Sequence, residues 1–389
     1  MKLDGIKVLD LSAFLPGPHM TMMMADHGAD VVMVEPANGV GEPTRHIGYR
    51  TDDDVSVWFR NIARGKRSLK VNLKNEDGLG LFLQLAKEAD VVVEAFRPGV
   101  VARLGIDYEA ISKINPGVVY CSISAFGQTG PYRDKPAHDL AIQGLAGTVA
   151  LNLGLEDGKP ALPNMPSADM AASLMALSGI LMALLRREKT GKGDYIDMAM
   201  YDALLAWTPN VTGPVFAEDR DPPVKTMRSF GGAGMNNIYE TSDGGFIILG
   251  GSEVKFATNL LTALGREDLI DLAKVEPGEA QEPLRAFFHE IFKTKTQSEW
   301  EEFLGKIDLC WAPVRSLKDG LQDEHTKARE MLIVDEDGHH YLGMPIKFQA
   351  EPGKVSTKLP EFGEHSAELA ESVNLSPEDI RKLKDEGVI

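Results

Sequence analysis

The chain has 389 residues, 43% of them hydrophobic and 25% charged, with a formal net charge of −17. At ~100–200 residues per domain this is room for two or three globular units with ordinary cores. The acidic balance excludes a general nucleic-acid binder but leaves space for a local basic patch that takes an anionic small ligand. Cys121 and Cys310 are the only cysteines, which excludes a disulfide framework and a cysteine-rich zinc site, so no metal is expected. The first residues lack a basic stretch followed by an apolar run, and the expected setting is cytoplasmic.

Taken in order, residues 7–11 read as a buried strand, 12–18 as a loop, 19–27 as a Met-rich helix and 29–35 as a second strand, a β-α-β crossover. Glu35 at the end of that strand suggests a dinucleotide site, but the first loop carries only Gly17 between two prolines. A Gly-x-Gly-x-x-Gly turn is therefore absent and the fold is expected to be Rossmann-like without that cofactor. Residues 36–60, with turns at Asn38-Gly39 and Gly41-Glu-Pro43, read as a surface loop beside a cleft. Arg64, Lys66 and Arg67 follow, three cations within four positions. They suit either a solvated turn or, with Lys74, a phosphate site, since Arg and Lys give charge-assisted bonds to phosphate oxygens.

Helices are expected over 76–88 and 108–114, and strands over 90–94 and 117–124. This alternation predicts an α/β fold with a doubly wound parallel sheet, whose ligands bind beyond the carboxyl ends of the strands. The loop at 125–139 is the richest of those ends and delivers His138 and Asp139 to a helix over 140–145. Pro166-Ser-Ala-Asp169 then opens a long apolar helix over 170–185, with Met170, Leu174, Leu177, Leu181 and Leu184 as its buried stripe, Ser167 as its N-cap and Gly191 and Gly193 as its stop. Interrupted by Ser173 and Ser178, it is shorter than the ~20 residues of a membrane span. A strand over 194–200 and a helix over 201–207 complete a large domain of residues 1–205 and 330–389. Residues 206–224 are a linker, and 225–329 form a small α+β domain with a hairpin turning at Asp243-Gly244 and helices over 254–264, 283–293 and 296–306. A second hairpin turns at Asp335-Glu-Asp-Gly338. The adjacent His339-His340 reads as a strand end, without a spaced third metal ligand. Residues 376–387 form a capped, solvated helix.

The chain resembles the family III CoA-transferases, the group that also holds α-methylacyl-CoA racemase. The resemblance rests on Leu3-Asp-Gly-Ile-Lys-Val-Leu-Asp-Leu11, Gly28-Ala-Asp-Val-Val32, Gly65-Lys-Arg-Ser68, Phe96-Arg-Pro-Gly99, Phe126-Gly-Gln-Thr-Gly-Pro131, Arg187-Glu-Lys-Thr-Gly-Lys-Gly193 and Gly363-Glu-His365, in order along nearly the whole chain. It implies an interlocked homodimer and a CoA thioester as substrate, with no permanently bound cofactor and no nucleic-acid or membrane partner. It implies binding of CoA by Leu15, Pro16, Arg64, Lys66, Arg67, Lys74, Phe96, Arg97 and Arg103. Asp169 falls where the transferases keep a nucleophile that forms an acyl anhydride and then an enzyme-bound CoA thioester. The backbone of Gly231-Gly232, in the run to Gly234, would close over that intermediate. His138 followed by Asp139, with Glu240 to assist the histidine, matches the racemases instead, in which His138 and Asp169 form an acid/base pair at Cα. The run after Asp169, Met-Ala-Ala-Ser173, lacks the racemases' glycines, and Leu15 or Pro16 stands where the transferases have Gln. The expected activity is CoA transfer between carboxylic acids, with racemisation as the alternative.

Overall fold

A computed structural model describes residues 1–389 except Asn38 and residues 155–157; the Asn38 half of the expected Asn38-Gly39 turn lies outside the described residues. The chain forms two compact units. One comprises Met1–Asn152, Ala161–Thr208 and Glu324–Ile389, the other Leu153–Pro160 and Pro209–Asp323.

The first unit is built on six parallel strands: β1 (Lys7–Leu11), β2 (Asp30–Pro36), β3 (Arg67–Val71), β4 (Val91–Glu94), β5 (Val119–Ser124) and β6 (Asp194–Ala199), in the order β3-β2-β1-β4-β5-β6. The order reverses between β1 and β4, where a parallel sheet opens a crevice at its carboxyl edge. Its helices are α1 (Pro16–Asp26), α2 (Val57–Ala63), α3 (Glu76–Glu88), α4 (Val100–Leu104), α5 (Tyr108–Ile114), α6 (Asp139–Leu145), α7 (Ser167–Thr190) and α8 (Met200–Leu205).

The strands are buried on both faces, as their Val-rich runs require. One face carries Leu9, Leu11, Val32, Leu69, Val92 and Tyr120 against α3 and the C-terminal residues. The other carries Val8, Val31, Val91, Val93, Cys121 and Ile123 against α1 and α7. α1 begins at Pro16, three residues earlier than the sequence reading. Its prolines sit in the first turn, where a missing N–H costs nothing. Gly17 lets that turn fold back on the first loop: a Cβ there would lie 2.1 Å from the Ser12 Oγ.

α7 departs most from expectation. It runs for 24 residues, and by length and hydropathy it passes for a membrane span. It is nevertheless the crossover between neighbouring parallel strands β5 and β6, and its Ala168, Ala172, Ala176, Ile180 and Leu184 row is packed on the sheet. Small side chains at every fourth position let helix and sheet approach closely. The stripe expected from the leucines is thus corrected: Leu174 and Leu181 are exposed, as are Met182 and Leu185.

The second unit contains α9 (Gly213–Glu218), which occupies part of the expected linker, then β7 (Asn236–Glu240), β8 (Phe246–Gly250), α10 (Val254–Ala263), α11 (Glu282–Phe292), α12 (Gln297–Leu304), β9 (Trp311–Pro313) and α13 (Leu317–Gln322). β7, β8 and β9 form an antiparallel sheet over a core of Tyr239, Leu249, Phe288, Phe292 and Trp300. The chain returns to the first unit through α14 (Glu324–Ala328), the hairpin β10 (Leu332–Val334) and β11 (His340–Leu342), α15 (Ser366–Ser372) and α16 (Pro377–Asp385). α16 opens with a Ser376/Asp379 capping box.

Candidate active site

A cavity of about 470 Å³ lies in the first unit beyond the carboxyl ends of β1, β4 and β5. Its walls come from the loops after these strands, from Trp58 on α2 and from the first turn of α7, which contributes Asp169.

The α7 N-terminus is not capped by Ser167, whose hydroxyl donates to the Met165 carbonyl at 3.3 Å. Asp139, at the start of α6, takes that role across the fold. Its Oδ1 accepts the amides of Ala168 at 2.8 Å and Asp169 at 3.2 Å, and its Oδ2 accepts the buried Gln143 side chain at 2.6 Å. A foreign carboxylate therefore occupies the amides that usually stabilise a first-turn aspartate. The Asp169 carboxyl is pushed up to about 7, by burial first and by the Asp139 charge second. Among the described residues no cation pairs with it. His138 is the residue before α6; its ring makes no cap and lies edge-on to Phe14, centroids 6.0 Å apart. His138 and Asp169 thus line one cavity, with Asp139 behind them as anchor.

Of the residues expected to hold CoA, Leu15, Pro16, Phe96 and Arg97 line this cavity. Arg103, on α4, is exposed nearby; its guanidinium and that of Arg133 each come within 3.5 Å of where a side chain on Gly99 would begin. Lys74 is exposed beyond β3.

The cluster at Arg64, Lys66 and Arg67 is corrected by the structure, which turns none of the three toward the cavity. Arg64 is buried against Asp26 at 2.7 Å. Lys66 is buried against Asp10 at 3.1 Å, Thr21 and the Pro18 carbonyl. Arg67 begins β3, at the sheet's opposite edge, and pairs with Asp30 and Glu368. Buried ammonium and guanidinium groups need such partners, and these groups find them in segments remote in sequence. Glu35, the residue that suggested a ribose site, is likewise occupied by a two-point ion pair with Arg45, at 2.8 Å for each bond.

Glu240, Gly231 and Gly232 belong to the second unit. Glu240 is exposed on β7 and paired with Lys293 at 3.0 Å. The amide of Gly232 donates to Met227 and that of Gly234 to the Gln281 side chain, so both are already engaged inside their own unit.

Sequence reasoning missed Phe14, Trp58, Arg133 and Lys135 among the cavity residues. Arg133 and Lys135 were within reach of the rule that ligands gather at strand ends. Trp58 was hidden because residues 36–60 read as a surface loop, although Ser56 caps a helix that begins at Val57, through the Phe59 amide. His339 also gathers more than expected: carboxylates of Asp52, Asp53, Asp335 and Asp337 stand close enough for a metal set. The Arg60 guanidinium is already among them, 2.6 Å from Asp53 and 4.0 Å from Asp335, and the arrangement is an ion-pair clasp.

Residues 3–366 match the family model described as CoA-transferase family III. The chain belongs to CoA-transferase family III. It is 33% identical to an acetyl-CoA:oxalate CoA-transferase of Acetobacter aceti, over 92% of this chain and 93% of that protein. It is 30% identical to an alpha-methylacyl-CoA racemase of Homo sapiens, over 100% of this chain and 98% of that one. The solved structure of a CAIB/BAIF family protein from Brucella suis superposes with a TM-score of 0.82 at 32% identity, covering 95% of this chain and 99% of that chain. Relatives of both reaction types surround this family III enzyme.

Proposed function

We propose that the protein transfers coenzyme A from an acyl-CoA donor to a free carboxylate acceptor, with Asp169 as nucleophile. The observation that carries this reading is the Asp169 carboxyl itself: it lines the crevice at the switch point, its amide is taken by Asp139, and no described cation pairs with it. An Asp169 oxygen attacks the thioester carbon and the C–S bond breaks, releasing CoA thiolate and leaving a mixed anhydride. The thiolate then attacks the aspartyl carbon, expelling the donor carboxylate and leaving CoA as an aspartyl thioester. The acceptor carboxylate attacks that thioester, and the thiolate released takes the acceptor's acyl carbon, restoring Asp169. Two easier acyl transfers replace one hard one. Arg97, Arg133 and Lys135 line the same cavity and, with Arg103, supply charge for the CoA phosphates. Lys74, exposed after β3, is a further cation proposed for them. The exposed leucines of α7 supply an apolar face for a second copy of the chain, and the two free cysteines suit a reducing, cytoplasmic compartment.

The second reading is racemisation at Cα, favoured by one observation: His138 shares the cavity with Asp169, whose carboxyl burial pushes up to about 7, as suits an acid/base pair. One incubation separates the two. With an acyl-CoA and an isotopically labelled free acid in heavy water, CoA exchange with retention of the α-hydrogen is expected, with an aspartyl thioester trapped by hydroxylamine at residue 169. Deuterium entering Cα without exchange of CoA would sink the transfer reading.

A further inference from the structure

Phe14, in the loop after β1, has a φ of 66°, the left-handed region that crowds any side chain with a Cβ. The backbone is held there by Glu42. The buried Glu42 carboxylate accepts the Phe14 amide through Oε1 at 2.8 Å and the Thr44 amide through Oε2 at 2.7 Å. The amide of Glu42 donates in turn to Glu35 at 2.7 Å, which Arg45 locks. This chain of contacts sets an aromatic ring, 39% exposed, on the cavity wall against His138. A disfavoured conformation held by a buried carboxylate beside a functional cavity points to use of the side chain it presents.

The cavity lining mixes cations with apolar side chains. Its cations, Arg97, Arg133 and Lys135, come from the loops after β4 and β5, and Arg133 is paired with Asp134 at 2.8 Å. The rest of the lining is mostly apolar, Phe14, Trp58 and Met200 among it, with Asp134, His138 and Asp169 as its other ionisable groups. On the reading above the CoA phosphates take the cavity's cations, so a second carboxylate on the acyl group would lose water beside Phe14 and Trp58 and face the Asp169 carboxylate.

We propose that Phe14 is a specificity-determining residue that selects acyl-CoAs with an apolar acyl group over those carrying a second carboxylate. The inference rests on the CoA-thioester reading above and names its substrate class. Phe14→Gly is the direct test, because glycine adopts the same backbone conformation without strain. With isobutyryl-CoA and phenylacetyl-CoA as donors, the wild type is expected to show kcat/KM about 100-fold above that for succinyl-CoA. Phe14→Gly is expected to lower the apolar donors about 10-fold, leaving succinyl-CoA and the affinity for free CoA unchanged. Glu42→Gln, which keeps an acceptor but removes the charge, shifts the ratio in the same direction by less. A wild type that prefers succinyl-CoA overturns the inference, as does a Phe14→Gly enzyme that loses all donors and free CoA alike. If no donor transfers CoA, the reaction assignment fails. Selectivity is then read from dissociation constants of isobutyl-CoA and 3-carboxypropyl-CoA thioethers, which must keep the same order for the inference to stand.

Discussion

Asp169 links the chemistry to a measurable titration. Its carboxyl is raised to about 7 by burial and by Asp139. A nucleophile must be ionised, so kcat/KM for CoA exchange is expected to rise with pH through about 7 and then level off, as a pH–rate profile will show. The stability effect has the opposite sign. An acid whose folded value lies above its unfolded value of 3.8 favours the fold most below that value, and the contribution is lost as pH rises toward 7. Asp169→Asn should therefore abolish exchange yet unfold at a higher temperature than wild type at pH 8, with the difference shrinking toward pH 4 in thermal melts. Lys66 gives the contrasting case. In the sequence it reads as a phosphate ligand beside Arg64 and Arg67; in the fold it neutralises Asp10 beneath α1. Lys66→Met should cost about 3–5 kcal/mol in denaturant unfolding, because Asp10 is left buried without its partner. The double change with Asp10→Asn should recover most of it. Nothing in the spacing of those cations says which turn inward, because Asp10 and Asp26 lie about forty to fifty-five residues upstream.

At the scale of elements, α7 depends on α6. Asp139 satisfies two amides at the head of α7 and at the same time keeps a negative charge beside Asp169. The two effects separate by substitution. Asp139→Ala should destabilise the protein by about 1 kcal/mol, the usual loss of a helix cap, and should shift the midpoint of the pH–rate profile down, since the freed amides and the lost charge both favour ionised Asp169. Asp139→Asn should restore the stability, because an amide oxygen still accepts, while the midpoint stays below that of wild type. The helix was legible in its apolar run and in the Gly191 that closes it with a left-handed cap. Its buried face was not. Leucines weigh most in a sequence pattern, whereas close approach to a sheet selects the alanine row, and only the packed sheet shows that choice. The same limit applied to Trp58, placed on the cavity by a seven-residue helix with too little apolar repeat to be read.

At the scale of the molecule, distant segments are tied by charge. His339 stands before β11 with Nε2 3.1 Å from Asp52 and 3.7 Å from Asp53, and Nδ1 3.3 Å from Asp335. Its value is raised, first by the Asp52 hydrogen bond. A base raised in the folded state stabilises fully below its unfolded value near 6.5 and loses that contribution as pH climbs past the folded one. The melting temperature of the wild type should therefore fall between pH 6 and pH 8 more steeply than that of His339→Gln, by differential scanning fluorimetry. The C-terminal segment is bound into the first unit in a second way. Leu383, Val388 and Ile389 share the core of Leu69, Val71 and Phe82, although more than 290 residues separate them in the chain.

By itself the sequence determined the strand alternation, the parallel α/β class and the candidates His138 and Asp169, because strand periodicity and ordered motifs are local properties of a chain. The tertiary structure alone decided which cations are interior, which face of α7 is buried, what caps it, and that Phe14 and Trp58 reach the cavity. Each of these depends on partners brought together across the sheet, where burial and charge act over ångströms and not over residues.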